Sequence, residues 1–125
     1  MKINAKDEKL WLILSEAQVA NSLYKNALKS LDKAQEINPN ISEIYFAKSN
    51  IYLQISKQNK AKNALKKGIS IEPNNHKAIF QLGNILLMEK NYSEAIKLFD
   101  QSVNIKPDFW QAINNLGLAY FENKK

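Results

Sequence analysis

The chain has 125 residues, of which 45% are apolar and 24% are charged, a composition typical of a folded globular domain. It contains no cysteine, which excludes disulfides, thiolate metal sites and cysteine nucleophiles. Its net charge of +6 arises from eighteen lysines with no arginine. Because arginine supplies the bidentate contacts to phosphate and guanine, we do not expect a dedicated nucleic-acid binder.

The first apolar segment, residues 10–14, is soon interrupted by Glu16. A secretory signal needs a longer apolar region, and a membrane-spanning helix needs roughly 20 apolar residues. We therefore expect no transmembrane segment and a cytoplasmic location.

Three prolines, Pro39, Pro73 and Pro107, are equally spaced along the chain, and other residue types recur in phase with them. A fixed period of about 34 residues indicates stacked supersecondary units. A shift by one such period superposes large apolar residues (Trp11, Tyr45, Ile79, Ile113), small residues (Ser15, Ser49, Gly83, Gly117) and alanines (Ala27, Ala61, Ala95). One architecture is thus copied three and a half times.

The apolar residues within each copy follow helical spacing, and a short polar break divides each copy into two helices. Each second helix must end near its proline, because the residue before proline is disfavoured in the α region. In chain order, the spacing predicts seven helices and an all-α fold: 8–21, 24–37, 42–55, 58–71, 76–89, 92–105 and 110–122. We expect one domain over 1–125, with repeats 8–41, 42–75 and 76–109 and a partial repeat 110–125.

The third repeat carries the fullest motif, with Ile79, Leu82-Gly83, Leu86, Ala95, Phe99 and Pro107. This pattern resembles the tetratricopeptide repeat (TPR) family, and the resemblance covers residues 8–122. Gln18, Lys48 and Gly68 depart from the family pattern. The resemblance implies an α-solenoid, a right-handed superhelix of antiparallel helix pairs. It also implies a non-catalytic scaffold that holds a peptide segment of a protein partner in a concave groove lined by the first helices.

No catalytic or metal-binding constellation is visible in the sequence. The one histidine, His76, falls at a predicted helix start, and no second imidazole or thiol accompanies it. Asp7 and Glu8 fall in the first turn of a helix, where the dipole favours negative charge. We expect no enzyme activity, no cofactor and no metal.

Projection of the first helices onto the family's concave face predicts the partner-binding residues. Phe46 and Phe80 offer aromatic contact, and Asn50 and Asn84 each present an amide that donates and accepts. The alternative is that the apolar groups are buried between repeats and the asparagines are ordinary surface. The full predicted set is Leu12, Phe46, Asn50, Leu53, Lys77, Phe80, Gln81, Asn84, Leu87, Asn114 and Asn115. The charges in this groove nearly cancel, with Lys9 and Lys77 set against Glu16, Glu43 and Glu122.

Chaperone-tail receptors in this family grip a C-terminal carboxylate with a clamp of lysine, asparagine and arginine. By resemblance, Leu12, Glu16, Ala47 and Gln81 stand where the clamp needs other residues, and only Lys77 agrees. Glu16 would also repel a carboxylate. The sequence therefore argues against a chaperone-tail ligand.

Three alternatives to groove binding remain open. Residues 44–71 contain several lysines and no acid, and most of these lysines lie on or beside a second helix that is expected to face outward. They could dock an acidic partner, membrane or nucleic acid. The chain could instead be an architectural fragment of a larger TPR protein. Finally, Leu116, Gly117 and Tyr120 occupy the positions against which a second helix would pack. A homodimer through the C-terminal helix is therefore a further alternative. The sequence does not identify the partner.

Overall fold

The computed structural model describes residues 7–124, which form seven α-helices and no strand. Their bounds are α1 Glu8–Ala20, α2 Tyr24–Ile37, α3 Ser42–Gln54, α4 Gln58–Ile71, α5 His76–Met88, α6 Tyr92–Ile105 and α7 Trp110–Asn123. The predicted all-α fold is confirmed, and every predicted helix bound lies within one residue of the observed one. Residues 1–6 and 125 of the predicted domain lie outside the described residues.

The same turn joins the two helices of each pair. Its central residue has left-handed backbone geometry, with φ of 60° at Ser22, 60° at Ser56 and 63° at Lys90. The next N–H donates to the carbonyl five residues earlier, which is the Schellman arrangement that ends a helix. These bonds run from Leu23 to Gln18 (2.8 Å), from Lys57 to Tyr52 (2.7 Å) and from Asn91 to Leu86 (2.9 Å).

The second helices end at the prolines, as the sequence predicts. Asn38 and Lys106, which precede Pro39 and Pro107, have extended backbones with φ of −146° and −131°. The next first helix then begins at once, and in α5 its start is capped by Asn75, whose Oδ1 accepts from the Ala78 N–H at 3.0 Å.

The helices form two compact units, which we call unit 1 (α1–α4, through Ile71) and unit 2 (α5–α7, from Glu72). In unit 1, α1 packs on α2, α2 on α3, and α3 on α4. Its core is fully or almost fully buried and contains Ala27, Leu31, Ala34, Ile44, Tyr45, Ile51, Ala61 and Leu65. The Tyr45 hydroxyl donates to the Pro39 carbonyl at 2.6 Å, which ties α3 to the turn before it.

In unit 2, α5 packs on α6, and α6 packs on α7. Phe99 of α6 is fully buried, and its ring lies against Gly83 of α5. The Ser102 hydroxyl donates to the His76 carbonyl at 2.8 Å and so joins α6 to the beginning of α5. Small residues at the crossing points explain how these helices approach closely enough to bury a large ring.

Candidate functional site

In unit 1, the facing sides of α1 and α3 enclose a cleft of about 370 Å³, which we call the α1–α3 cleft. The spacing of three and four residues along each helix places its lining on one face. The lining residues are Ser15, Glu16, Val19, Glu43, Phe46, Ala47, Asn50 and Ile51. The cleft therefore has an apolar wall with carboxylates and an amide at its edge.

A second opening of about 430 Å³ adjoins this cleft and shares Glu16 and Glu43 with it. Leu12 lines it, together with Lys9, Ile13 and Ile41. Both shared carboxylates are exposed, and within residues 7–124 neither forms a salt bridge. The two carboxylates outnumber the one lysine, so this region of unit 1 is acidic.

In unit 2, α5 and α7 form a cleft of about 340 Å³, the α5–α7 cleft, lined by Lys77, Phe80, Gln81, Asn84, Phe109 and Gln111. Four of these stand one repeat after Glu43, Phe46, Ala47 and Asn50 of the α1–α3 cleft. The same positions of two first helices thus line two separate clefts. The charge differs, because Lys77 occupies the position of Glu43 and no acid lines the α5–α7 cleft.

The aromatic residue of each cleft is held in place by packing. The Phe80 ring centroid lies 4.9 Å from that of Phe109 and 5.8 Å from that of Phe99. In unit 1, the Phe46 ring lies directly over Gly68 of α4. Both rings are half-buried, so each presents part of its surface to its cleft and packs against the protein with the rest.

Two amides meet at the α5–α7 cleft. The Asn115 Nδ2 donates to the Asn84 Oδ1 at 2.7 Å. This bond leaves the Asn84 amide hydrogens and the Asn115 carbonyl oxygen available, which is one donor group beside one acceptor. An extended peptide backbone offers the complementary pair.

The predicted partner-binding residues lie at four kinds of place in the structure. The α1–α3 cleft contains Phe46 and Asn50, and the α5–α7 cleft contains Lys77, Phe80, Gln81 and Asn84. Leu12 lines the adjoining opening, and Asn115 joins the second cleft through its bond to Asn84. Half-buried Leu53 and Leu87 and exposed Asn114 line none of these clefts.

Sequence reasoning missed Ile41 and Phe109, which also line clefts. Each directly precedes a first helix and so lies outside the helical face that was projected. They stand at the same repeat position, two repeats apart, and both are large and apolar. That recurrence is the signal that could have identified them.

A lysine-rich cleft of about 380 Å³ opens on another face of α3. Lys60 and Lys67 line it, each with its Nζ 5.9 Å from the ring centroid of Tyr52 and Tyr45, respectively. Lys48 also lines it, but its ammonium is 2.6 Å from the Asp32 carboxylate. The net charge of this cleft is positive.

Among the described residues, no group of three or more histidine, cysteine or carboxylate side chains is placed to hold a metal ion. Within residues 7–124, no helix has both the length and the apolar character needed to cross a membrane.

Family models match most of the chain. A TPR repeat model matches residues 83–124, and two tetratricopeptide repeat models match residues 64–97 and 42–75. The comparison with curated proteins gave no match.

Solved structures share the fold. A crystal structure of MamA protein has a TM-score of 0.85 and 24% identity over 95% of this chain and 65% of that one, so the present chain spans less than two thirds of its length. The first TPR of Spaghetti (RPAP3), bound to the HSP90 peptide SRMEEVD, has a TM-score of 0.86 and 14% identity over 98% of both chains. The Arabidopsis OM64 TPR domain has a TM-score of 0.79 and 17% identity, covering 90% of this chain and 93% of that domain.

These identities carry information on the fold alone. The matches to repeat models agree with the constant repeat period of the sequence. They also agree with the pairing of α5 with α6 through Gly83 and Phe99. The chain belongs to the tetratricopeptide repeat family.

Proposed function

We propose that the protein is a non-catalytic scaffold that binds peptide segments of partner proteins in the α1–α3 and α5–α7 clefts. The observation that carries this proposal is the reuse of four repeat positions to line both clefts. Each cleft combines a half-buried aromatic ring with an amide at its edge. A related fold with a bound peptide, the first TPR of Spaghetti, supports this use of the fold.

The α1–α3 cleft suits an apolar side chain next to a basic one. Phe46 and Val19, both half-buried, offer contact to an apolar group. The carboxylates of Glu16 and Glu43, which have no salt-bridge partner within residues 7–124, lie at the edge and favour a lysine or arginine of the peptide. Asn50 is exposed beside them and is available for the peptide backbone.

The α5–α7 cleft suits an apolar side chain next to an acidic one. Phe80 provides the apolar surface, with the buried Phe109 ring packed against it, and Lys77 provides the positive charge. The joined amides of Asn84 and Asn115 present a donor beside an acceptor for backbone groups. Because Lys77 is exposed, its contribution should fall mainly on partner choice and on the salt dependence of binding.

An acidic chaperone tail does not fit the α1–α3 cleft by these criteria. The peptide in the Spaghetti structure, SRMEEVD, has three acidic side chains. Glu16 and Glu43 would stand against such a peptide, and like charges at an interface disfavour the wrong partner. We therefore propose a ligand of different charge for unit 1.

A peptide array tests the proposal. The intact protein is applied to short synthetic peptides that vary in charge around one central apolar residue, and peptides of the same charges without the apolar residue are the controls. The proposal expects peptides with a basic residue, an acidic residue or both beside the apolar one to be selected. Absence of any selected peptide, or selection that follows peptide charge without the apolar residue, would contradict it.

The lysine-rich cleft supports a second candidate function, docking of an acidic partner. Lys60 and Lys67 are exposed there without a salt-bridge partner among the described residues. Exposed lysines bind acidic groups weakly and lose affinity steeply as salt rises. A partner released by Lys60→Glu and Lys67→Glu, and insensitive to changes in the two clefts, would favour this candidate.

A further inference from the structure

Helix α7 leaves a stripe of apolar surface uncovered, which we call the α7 stripe and define as Trp110, Ile113, Gly117 and Tyr120. The exposed fractions of its large side chains are 67% for Trp110, 45% for Ile113 and 48% for Tyr120. At Gly117, a Cβ atom would meet nothing within 4 Å. The spacing of three and four residues makes this a continuous strip along one side of the helix.

The equivalent strip of α5 is covered within the same unit. Ile79, Gly83 and Leu86 stand one repeat before Ile113, Gly117 and Tyr120. Ile79 is 0% and Leu86 is 9% exposed, and Gly83 is buried beneath the Phe99 ring of α6. The same positions are therefore closed in α5, which has a covering helix, and open in α7.

The covering helices of the chain share one pattern. Each of α2, α4 and α6 carries an alanine followed four residues later by a leucine or phenylalanine, and all six side chains are fully buried: Ala27 and Leu31, Ala61 and Leu65, Ala95 and Phe99. Each of these helices packs on the first helix before it. The kind of interface that would cover the α7 stripe thus occurs three times in this chain, each time with a helix of this pattern.

Within the described part of the chain, a second folded copy has no uncovered helix of this pattern to offer. The alanine and leucine or phenylalanine of α2, α4 and α6 are already buried in their own copy. Helix α7 carries the pattern as Ala112 and Leu116, but Ala112 is fully buried as well. If two α7 helices met with Gly117 facing Gly117, neither would supply the large side chain that fills this position in α5.

We propose that the α7 stripe docks an amphipathic α-helix of another protein, with alanine and, four residues later, phenylalanine or leucine on its apolar face. The phenylalanine or leucine lies over Gly117, as Phe99 lies over Gly83. The surface is separate from the residues proposed to bind extended peptides, so either proposal can fail while the other stands.

The probe for the test is a synthetic peptide of residues 92–105, the helix that covers α5. So short a helix is marginal in water when isolated, and a hydrocarbon staple therefore replaces Ser93 and Lys97, which are both exposed. The labelled peptide is titrated with the intact protein and followed by fluorescence anisotropy. The proposal expects saturable binding and at least a tenfold loss of affinity when the peptide carries Phe99→Ala.

The matched protein variants are Gly117→Leu and Gln101→Leu. The first fills the open position on α7, and the second adds the same side chain at an exposed site on α6. Gly117→Leu should keep the helical circular dichroism spectrum and weaken peptide binding at least tenfold, and Gln101→Leu should leave binding unchanged.

Three outcomes would overturn the proposal. One is the absence of peptide binding to the wild-type protein. Another is binding that ignores Gly117→Leu, which would place the peptide elsewhere. The third is self-association in sedimentation analysis that Gly117→Leu abolishes while the peptide does not bind, which would make a second copy the occupant.

Discussion

The Phe99 ring lies so close to the backbone of Gly83 that a Cβ atom there would be 2.7 Å from Cε1 of the ring and 2.9 Å from Cδ1. Phe99 is fully buried, so its ring has no free space into which to move. Glycine at this position is therefore required by packing between α5 and α6, despite its low preference for helices.

Gly83→Ala should lower the free energy of unfolding by about 1–2 kcal/mol, because overpacking a core costs about 1–3 kcal/mol and alanine's helix preference returns only part of it. Urea unfolding followed by circular dichroism measures the change. The control is Gly117→Ala, where a Cβ atom meets nothing, and which should raise stability by about 0.5–1 kcal/mol. Equal effects of the two substitutions would contradict this account of Gly83.

The left-handed turns at Ser56 and Lys90 predict a second pair of stability changes. An L-residue in this conformation costs roughly 1–2 kcal/mol, of which glycine avoids most while losing more chain entropy on folding. We expect Ser56→Gly and Lys90→Gly each to raise the free energy of unfolding by about 0.5–1 kcal/mol. Ser93→Gly, inside α6, is the control and should lower it. Destabilisation by all three would show that the turns carry no strain.

Lys48 occupies a position where the third repeat has Leu82, and it is partly buried there. Its side chain is 12% exposed, while that of its partner Asp32 is 62% exposed. A buried ammonium is costly to desolvate, and its bonds to the exposed Asp32 carboxylate and to the Gln35 Oε1, each 2.6 Å long, return only part of that cost. Lys48→Leu should therefore leave the free energy of unfolding, measured by urea unfolding, unchanged or raise it. Asp32→Ala should lower the same quantity by about 0.5–1.5 kcal/mol. A large loss with Lys48→Leu would show that the ammonium itself stabilises unit 1.

The helices could be predicted from the sequence because the apolar spacing, the repeat period and the prolines all indicated the same helix bounds. The constant period fixed the copy number, and the prolines fixed where each second helix ends. The Schellman turns could not be predicted, because serine and lysine have no special preference for the left-handed region that Ser22, Ser56 and Lys90 occupy. Their recurrence at one repeat position becomes meaningful only when the backbone geometry is known.

The candidate clefts could be predicted in part. Phe46, Asn50, Phe80 and Asn84 follow from projecting the first helices onto the concave face of the family that the sequence resembles. The contribution of Phe109 depends on how the chain enters α7, and the bond between Asn84 and Asn115 depends on the distance between α5 and α7. Neither quantity is encoded in the spacing along one helix.

The amide pair predicts a selective effect on peptide binding. Asn115→Ala removes the donor to Asn84 and the neighbouring carbonyl oxygen, so peptides of the α5–α7 cleft should lose about 0.5–1.5 kcal/mol of binding free energy. Asn104→Ala, an exposed change on α6, should have no effect. Fluorescence anisotropy with an array-selected acidic peptide provides the measurement. Equal responses to both variants would exclude the amide pair from binding.

The opposite charges of Glu43 and Lys77, at one repeat position in two clefts, give the most direct test of peptide binding. Titration calorimetry with one basic and one acidic array-selected peptide is performed on wild type, Glu43→Lys and Lys77→Glu. The account predicts that Glu43→Lys weakens only the basic peptide and that Lys77→Glu weakens only the acidic peptide, each by at least fivefold at low salt. Affinities that ignore both variants but collapse with Lys60→Glu and Lys67→Glu would contradict binding in the clefts.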